Sequence, residues 1–199
     1  MIVWCCILWV MAQPQLSYKR EMEERGLAQI EMLLSSDRQR EAERYLQDFE
    51  KELFPSAWLH YEVALQYNIQ GKLEQALKHY DRALVLEPLM LRALYDRAEI
   101  YLLQGQVSKA QQDLLRLVDA DVAHWVVYFR LSEIYAEQSN ATHFEEMMLQ
   151  AIRYGFSMSI LLESKTKWKS YALDPVIGVS LRRMIQLYGD EQIWELLQQ

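Results

Sequence analysis

Four histidines, His60, His79, His124 and His143, are the side chains here best suited to metal binding or proton transfer. None has a cysteine or acidic partner at a metal-ligand spacing, and no H-E-x-x-H pair occurs. Carboxylate pairs such as Glu23/Glu24 and Glu145/Glu146 are adjacent, so on a helix they point apart and read as solvated charges. The six glycines are isolated, which leaves no Gly-rich phosphate loop, and no G-x-S-x-G elbow presents a nucleophile. The segment "KTKWKSY" places Lys165, Lys167 and Lys169 around Trp168, a set that could touch phosphate and stack on a base. A solvated connection with Trp168 and Tyr171 tucked into a core accounts for it better, because exposed lysine is common. The formal net charge of −7 also argues against nucleic acid, whose binding needs a basic face to release counterions. The expectation is a protein that is not an enzyme and uses no metal or cofactor.

The elements that would position any site come from composition and spacing. Leu, Ala, Glu, Gln and Tyr abound, while there are only six Gly and four Pro. These are mostly good helix formers, and Val and Thr are too scattered to build a sheet. The expected class is all-α, and 199 residues allow one domain with a substantial core. In residues 57–90, Trp58, Tyr61, Ala64, Leu65 and Ile69 keep helical spacing, and after Gly71 so do Leu73, Ala76, Leu77, Tyr80, Ala83 and Leu84. Gly71 suits a sharp reversal between two helices, and Pro88 ends the second. Ala64, Tyr67, Gly71 and Ala76 return 34 residues later as Ala98, Tyr101, Gly105 and Ala110.

This pattern resembles the tetratricopeptide repeat, a 34-residue helix–turn–helix unit. The resemblance implies a right-handed α-solenoid of about three to four helix pairs with a helical C-terminal cap. The repeats would cover 57–90, 91–124 and 125–158. The second departs from the pattern with Leu114, Leu117 and Val122. The third carries "SNAT" in place of the turn glycine and Phe144 in place of alanine. Residues 17–56 read as a degenerate pair, with Ser36 to Gln39 as a capping box opening its second helix. Thr142 and Glu145 read as another such box. Residues 159–199 read as the cap, with one helix starting at Asp174-Pro175 and a last one after Gly189-Asp190 that carries Trp194 in "IWELL".

Residues 1–12, "MIVWCCILWVMA", are uncharged and almost wholly apolar. They are shorter than the about 20 residues of a membrane-spanning helix. A secretory signal, a hydrophobic anchor and a cap on the first helix all stay open, with signal or anchor favoured because Trp4, Cys5, Cys6 and Trp9 leave no polar face. Both cysteines lie in this leader, so residues 13–199 hold no thiol. The expected location is extracytoplasmic, periplasmic or envelope-associated, and otherwise cytoplasmic, with membrane association through the N-terminus.

The resemblance also implies a working surface, the concave groove lined by the first helix of each pair. Its best contacts are expected to be Tyr61, Arg92, Tyr95, Glu99, Phe129 and Glu133, aromatic or charged tips at recurring places. Co-chaperones of this family grip a partner's C-terminal carboxylate with Lys, Asn and Arg. The matching places here hold Tyr61, Leu65, Asp96 and Val126, with only Arg130 basic. The expected partner is therefore a protein or peptide segment that is apolar with basic character, held by a non-catalytic scaffold in an exported or envelope-associated bacterial assembly; the alternative is a cytoplasmic or membrane-tethered adaptor.

Overall fold

Chain reversal sets the frame of this fold. The computed structural model describes the backbone of residues 2–120 and 124–198, and the side chains of those residues from Leu16 onward. The chain turns with positive φ at Asp37 (57°), Gly71 (71°), Gly105 (69°) and Ser139 (52°), positions 34 residues apart. At each reversal the next residue donates its N–H to a carbonyl five residues back: Arg38 to Leu33 and Lys72 to Tyr67 at 2.9 Å, Gln106 to Tyr101 at 2.8 Å and Asn140 to Tyr135 at 2.9 Å. These bonds satisfy carbonyls that a helix end otherwise leaves orphaned. Only two of the four reversals use glycine, and Asp and Ser tolerate the left-handed region at a cost.

The reversals separate consecutive helices. These are α1 (Ile2–Ser35) and α2 (Gln39–Glu52), α3 (Ala57–Ile69) and α4 (Leu73–Leu86), α5 (Leu91–Leu103) and α6 (Val107–Asp119), and α7 (Trp125–Glu137) and α8 (Ala141–Arg153). A 3₁₀ turn (Met158–Ser164) then leads into α9 (Lys165–Leu173), α10 (Ile177–Tyr188) and α11 (Glu191–Gln198). Among the described residues there is no strand, and no helix is long and apolar enough to cross a membrane. The side chains of the leader, and Val122, lie outside the described residues.

The chain forms two compact units, Met1–Ala93 and Leu94–Gln199. In the first, α1 packs on α2 and α3, and α3 on α4. Ile30, Leu46, Phe49, Leu59, Ala64, Ala76 and Tyr80 fill its interior. In the second, α7 packs on α6 and α8, α10 on α8 and α9, and α11 on α9 and α10. Leu114, Leu131, Phe144, Trp168 and Leu181 are among its fully buried members. Each such side chain taken from water contributes about 1.5–3 kcal/mol.

Local chemistry differs from expectation at both capping boxes. Ser36 Oγ donates to the Met32 carbonyl at 2.8 Å, so it closes α1 and is not free to open α2, which begins beyond Arg38. At α8 the cap is Asn140, whose Oδ1 accepts from the His143 N–H at 3.3 Å. Thr142 already lies inside that helix, and Glu145 turns to Arg183. α10 begins at Ile177 with Val176 at its cap, so Asp174-Pro175 forms the turn ahead of it, in which Asp174 Oδ1 accepts from Val176 and Ile177 N–H at 2.8 Å; ahead of α11, Asp190 Oδ1 accepts from Gln192 at 3.0 Å. The lysine-rich segment is helix α9 and not a connection, although Trp168 (0% exposed) and Tyr171 (8%) are buried as expected. In "IWELL", Ile193 and Leu197 are buried, and Arg182 lies over the Trp194 ring at 5.7 Å.

Close helix approach is enforced at a second series 34 residues apart: Ala42, Ala76, Ala110, Phe144 and Gly178. Phe144 replaces the small residue and is still fully buried, its ring 6.5 Å from that of Trp168. At Gly178 a Cβ would lie 2.4 Å from the Ala172 carbonyl oxygen. At Gly71 nothing crowds a Cβ, but φ is +71°. Gly178→Ala is therefore expected to cost about 2 kcal/mol through overpacking, and Gly71→Ala about 1 kcal/mol through backbone strain alone. Urea unfolding of both variants checks the order; equal losses would mean that α9 yields at Ala172.

Candidate functional site

Helical spacing brings one set of polar residues to a common face in the second unit. On α5, Tyr95 and Glu99 are four apart; on α7, Phe129, Arg130, Glu133 and Glu137 recur at three and four; α9 adds Lys167, Trp168 and Tyr171. Arg130 joins two helices, with Nη2 2.9 Å from Glu99 Oε2 and Nη1 2.8 Å from Glu133 Oε2. Lys167 Nζ lies 3.1 Å from Glu133 and 3.2 Å from Glu137. Tyr171 donates its hydroxyl to Glu137 at 3.1 Å. The result is an alternating ladder, Glu99–Arg130–Glu133–Lys167–Glu137–Tyr171, across α5, α7 and α9.

The ladder is only partly hydrated, and this shows in its titration. Burial lowers the proton affinity of Arg130, but its bond to Glu133 and the charges of Glu99 and Glu133 outweigh that and raise it. Burial first, then the Glu99 charge, pushes the Tyr95 phenol up, against a hydrogen bond from Arg130. Burial first, then Glu137, pushes Tyr171 up. Arg130 stays charged and both phenols stay neutral at physiological pH. Two polar atoms in the ladder, Glu99 Oε1 and Arg130 Nε, are enclosed without a hydrogen-bond partner.

Two pockets flank the ladder and share Arg130 and Glu133 as walls. One, of about 310 Å³, is lined by Glu99, Glu137 and Lys167 with Leu102, Leu103, Val107 and Ile134. The other, of about 200 Å³, is lined by Trp125, Phe129, Ile160, Trp168 and Glu163. Carboxylates outnumber cations around the pair, beside apolar walls. Such a surface favours a cationic side chain flanked by apolar ones.

Of the residues expected to face a groove, the structure gathers Tyr95, Glu99, Phe129 and Glu133 in the second unit. Tyr61 and Arg92 lie in the first. Arg92 is exposed and Tyr95 half-buried. Tyr61 is corrected from a groove anchor to a packing residue: it is 6% exposed, its ring 6.0 Å from that of Tyr80 on α4. Phe129 is likewise mostly packing, 8% exposed and stacked on Phe156 at 4.6 Å and Trp168 at 5.6 Å. Glu133 (5% exposed) is an interior hub between two cations and not a free groove charge. Sequence reasoning names Lys167 and Tyr171 but does not bring them to this face, although the signal was there: Lys167 is 34 residues after Glu133, as Glu133 is after Glu99. Carrying the 34-residue frame past residue 158 would have found it.

No protein-family profile matches the chain. Among solved structures, a tetratricopeptide repeat protein from Parabacteroides merdae superposes with a TM-score of 0.63 over 89% of this chain and 71% of its own, at 18% identity. MamA from Desulfovibrio magneticus RS-1 does so with a TM-score of 0.62 over 88% and 94%, also at 18% identity. The fold is thus that of tetratricopeptide proteins, all-α and built of paired helices. By sequence, the chain is 34% identical over 88 residues to the protein named "Probable biofilm formation methyltransferase WspC" of Pseudomonas putida. It is 32% identical over 95 residues to the "Photosystem I assembly protein Ycf3" of Cyanophora paradoxa. It covers 44% and 46% of its own length in these matches, and spans 20% and 55% of those two proteins.

The ladder gives a stability prediction. Arg130→Met leaves Glu99 without its cation and Glu133 with Lys167 alone, and is expected to cost about 2 kcal/mol, less than a fully buried pair because the Arg130 side chain is 34% exposed. Lys167→Met, at a side chain 39% exposed, is expected to cost about 1 kcal/mol or less. Urea midpoints at low and high salt test this. Added salt should shrink the Lys167 effect and leave most of the Arg130 effect, and the reverse pattern would place the weight of the ladder on α9.

Proposed function

We propose that the chain is a non-catalytic interaction module whose second unit binds a partner protein segment, apolar with basic character, across the two pockets beside Arg130 and Glu133. One observation carries this reading: Glu99, Glu137 and Glu163 edge the pockets, while aliphatic and aromatic side chains form their walls. A basic residue of the partner would meet Glu137, whose side chain is 44% exposed, and its apolar neighbours would enter between Trp125 and Ile160. The fold supports the general role, since it is a scaffold of helix pairs. The resemblance in sequence to a protein named for photosystem I assembly is in keeping with it.

The setting we propose is extracytoplasmic or envelope-associated, on the strength of the uncharged leader, residues 1–12. A tethered adaptor is the second reading, favoured by α1, which runs without interruption from Ile2 to Ser35. The N-terminal mass of the protein isolated from its source separates the two: loss of the leader supports export, and its retention supports the tether.

Binding is tested with arrays of Leu/Arg-containing peptides and their Leu/Glu counterparts, read by fluorescence polarisation. Wild type is expected to select the basic set, and Glu137→Lys to weaken it about tenfold, the equivalent of about 1.4 kcal/mol. Glu133 is unsuited to this test, since reversal there would set three cations together. Equal binding of both peptide sets, or no effect of Glu137→Lys, would move the site away from these pockets.

A further inference from the structure

The first unit holds a chain of four titratable side chains, two buried histidines between two partly exposed carboxylates, that the proposed binding role does not use. Glu43 and Glu50 stand two turns apart on α2, His60 comes from α3 and His79 from α4. Glu43 Oε1 lies 2.7 Å from His79 Nε2, His79 Nδ1 lies 3.0 Å from His60 Nδ1, and His60 Nε2 lies 3.0 Å from Glu50 Oε1. His60 is 6% and His79 2% exposed, and the rings meet edge to edge, centroids 5.2 Å apart and planes 28° from parallel. The surrounding groups are accounted for helix by helix. Tyr67 of α3 stacks on His79 and donates its hydroxyl to Glu43 at 3.2 Å. On α4, Lys78 lies 3.1 Å from Glu43 and Arg82 4.0 Å from Glu50. The α1 carboxylates turn elsewhere, Glu23 to Ser56 at 2.6 Å and Glu31 to Gln66 at 3.2 Å.

Counting hydrogens decides what this chain holds. Three contacts of hydrogen-bond length need one hydrogen each. Two ionised carboxylates and two neutral imidazoles supply only two, because a neutral imidazole has one N–H. Two hydrogens on the outer nitrogens would leave two Nδ1 lone pairs facing each other at 3.0 Å in a water-poor interior, which is repulsive. We propose that the chain Glu43–His79–His60–Glu50 holds a third proton, lodged between the two Nδ1 atoms, and that this proton latches α2, α3 and α4 together in a pH-dependent way.

Both directions of titration release the latch. Loss of the third proton on the alkaline side leaves the facing lone pairs. A fourth proton on the acid side sets two N–H groups against each other. Burial, reinforced by the His79 charge and opposed by Glu50, holds His60 below its ordinary value of 6.5, so it resists that fourth proton. Its contribution is therefore complete above 6.5 and is lost as pH falls through the lowered value. The hydrogen bond from His79, against burial, holds Glu43 down to about 2 from 4.5, so its contribution fades only between 4.5 and about 2. Acid release thus begins at the histidine pair while Glu43 is still ionised. The two rings titrate as one coupled system.

The test uses the full chain, labelled with ¹⁵N-histidine, and NMR near neutral pH. The expected result is a protonated Nδ1 in the His60–His79 pair; two rings that both carry their hydrogen on Nε2, with both Nδ1 bare, would overturn the proposal. Hydrogen exchange of α3 and α4 amides then follows pH in wild type, His60→Gln and His79→Gln. Wild type should lose protection on both sides of an optimum, by up to tenfold per pH unit for one proton, and the glutamine variants should lose that dependence. An unchanged pH profile in a folded variant would also overturn it. Should neither variant fold, the wild-type NMR result decides alone.

Discussion

Everything in this molecule rests on where the chain is allowed to reverse. A helix pair buries a face only if the second helix starts at a fixed angle and distance from the first. The left-handed residue with its five-residue-back hydrogen bond sets both. Because Asp37, Gly71, Gly105 and Ser139 fall at one interval, every position around them acquires a fixed meaning. Five positions after the first three reversals a small residue, Ala42, Ala76 or Ala110, is buried where helices approach, and Phe144 takes that place after the fourth. A shift of one residue at any reversal would rotate the following helix by about 100°, since 3.6 residues complete a turn, and would swing its apolar face into water.

That frame was largely legible, and its limits are instructive. The periodicity of Ala64, Tyr67, Gly71 and Ala76 against Ala98, Tyr101, Gly105 and Ala110 reveals helix pairs because packing tolerates few residue types there. Asp37 and Ser139 hide the same turn, because Asp and Ser occur in many local roles and only geometry shows that these two are left-handed. The capping boxes failed for a related reason. A Ser or Thr followed three residues on by Glu or Gln caps a helix only if the helix starts there, and at Ser36 and Thr142 the reversal fixes the start elsewhere.

The resemblance put Glu99 and Glu133 on a common surface, and both line one pocket, but neither it nor spacing carries information on what arrives from a later helix. Lys167 converts Glu133 from an open charge into an interior hub, and Phe156 and Trp168 convert Phe129 from an anchor into filler. The most exposed carboxylate of the ladder is Glu137, 44% exposed between Lys167 and Tyr171. Recognition in such a surface depends on the leftover charge after internal pairing, not on the residue list of the groove.

The same distinction separates the two polar clusters of the protein. In the ladder of the second unit charges alternate, and Arg130 and Lys167 each lie between two carboxylates. In the first unit, His60 and His79 occupy core positions that apolar residues could have filled, and histidine is the side chain whose charge changes near neutrality. A pair of buried histidines costs more to desolvate than leucines would, and stacking with Tyr67 offers little that a phenylalanine could not supply. What histidine adds is the ability to carry a hydrogen between two nitrogens, with carboxylates at both ends to hold the resulting charge. The interior of the first unit thereby holds the side chains of this protein best placed to pass a proton from helix to helix.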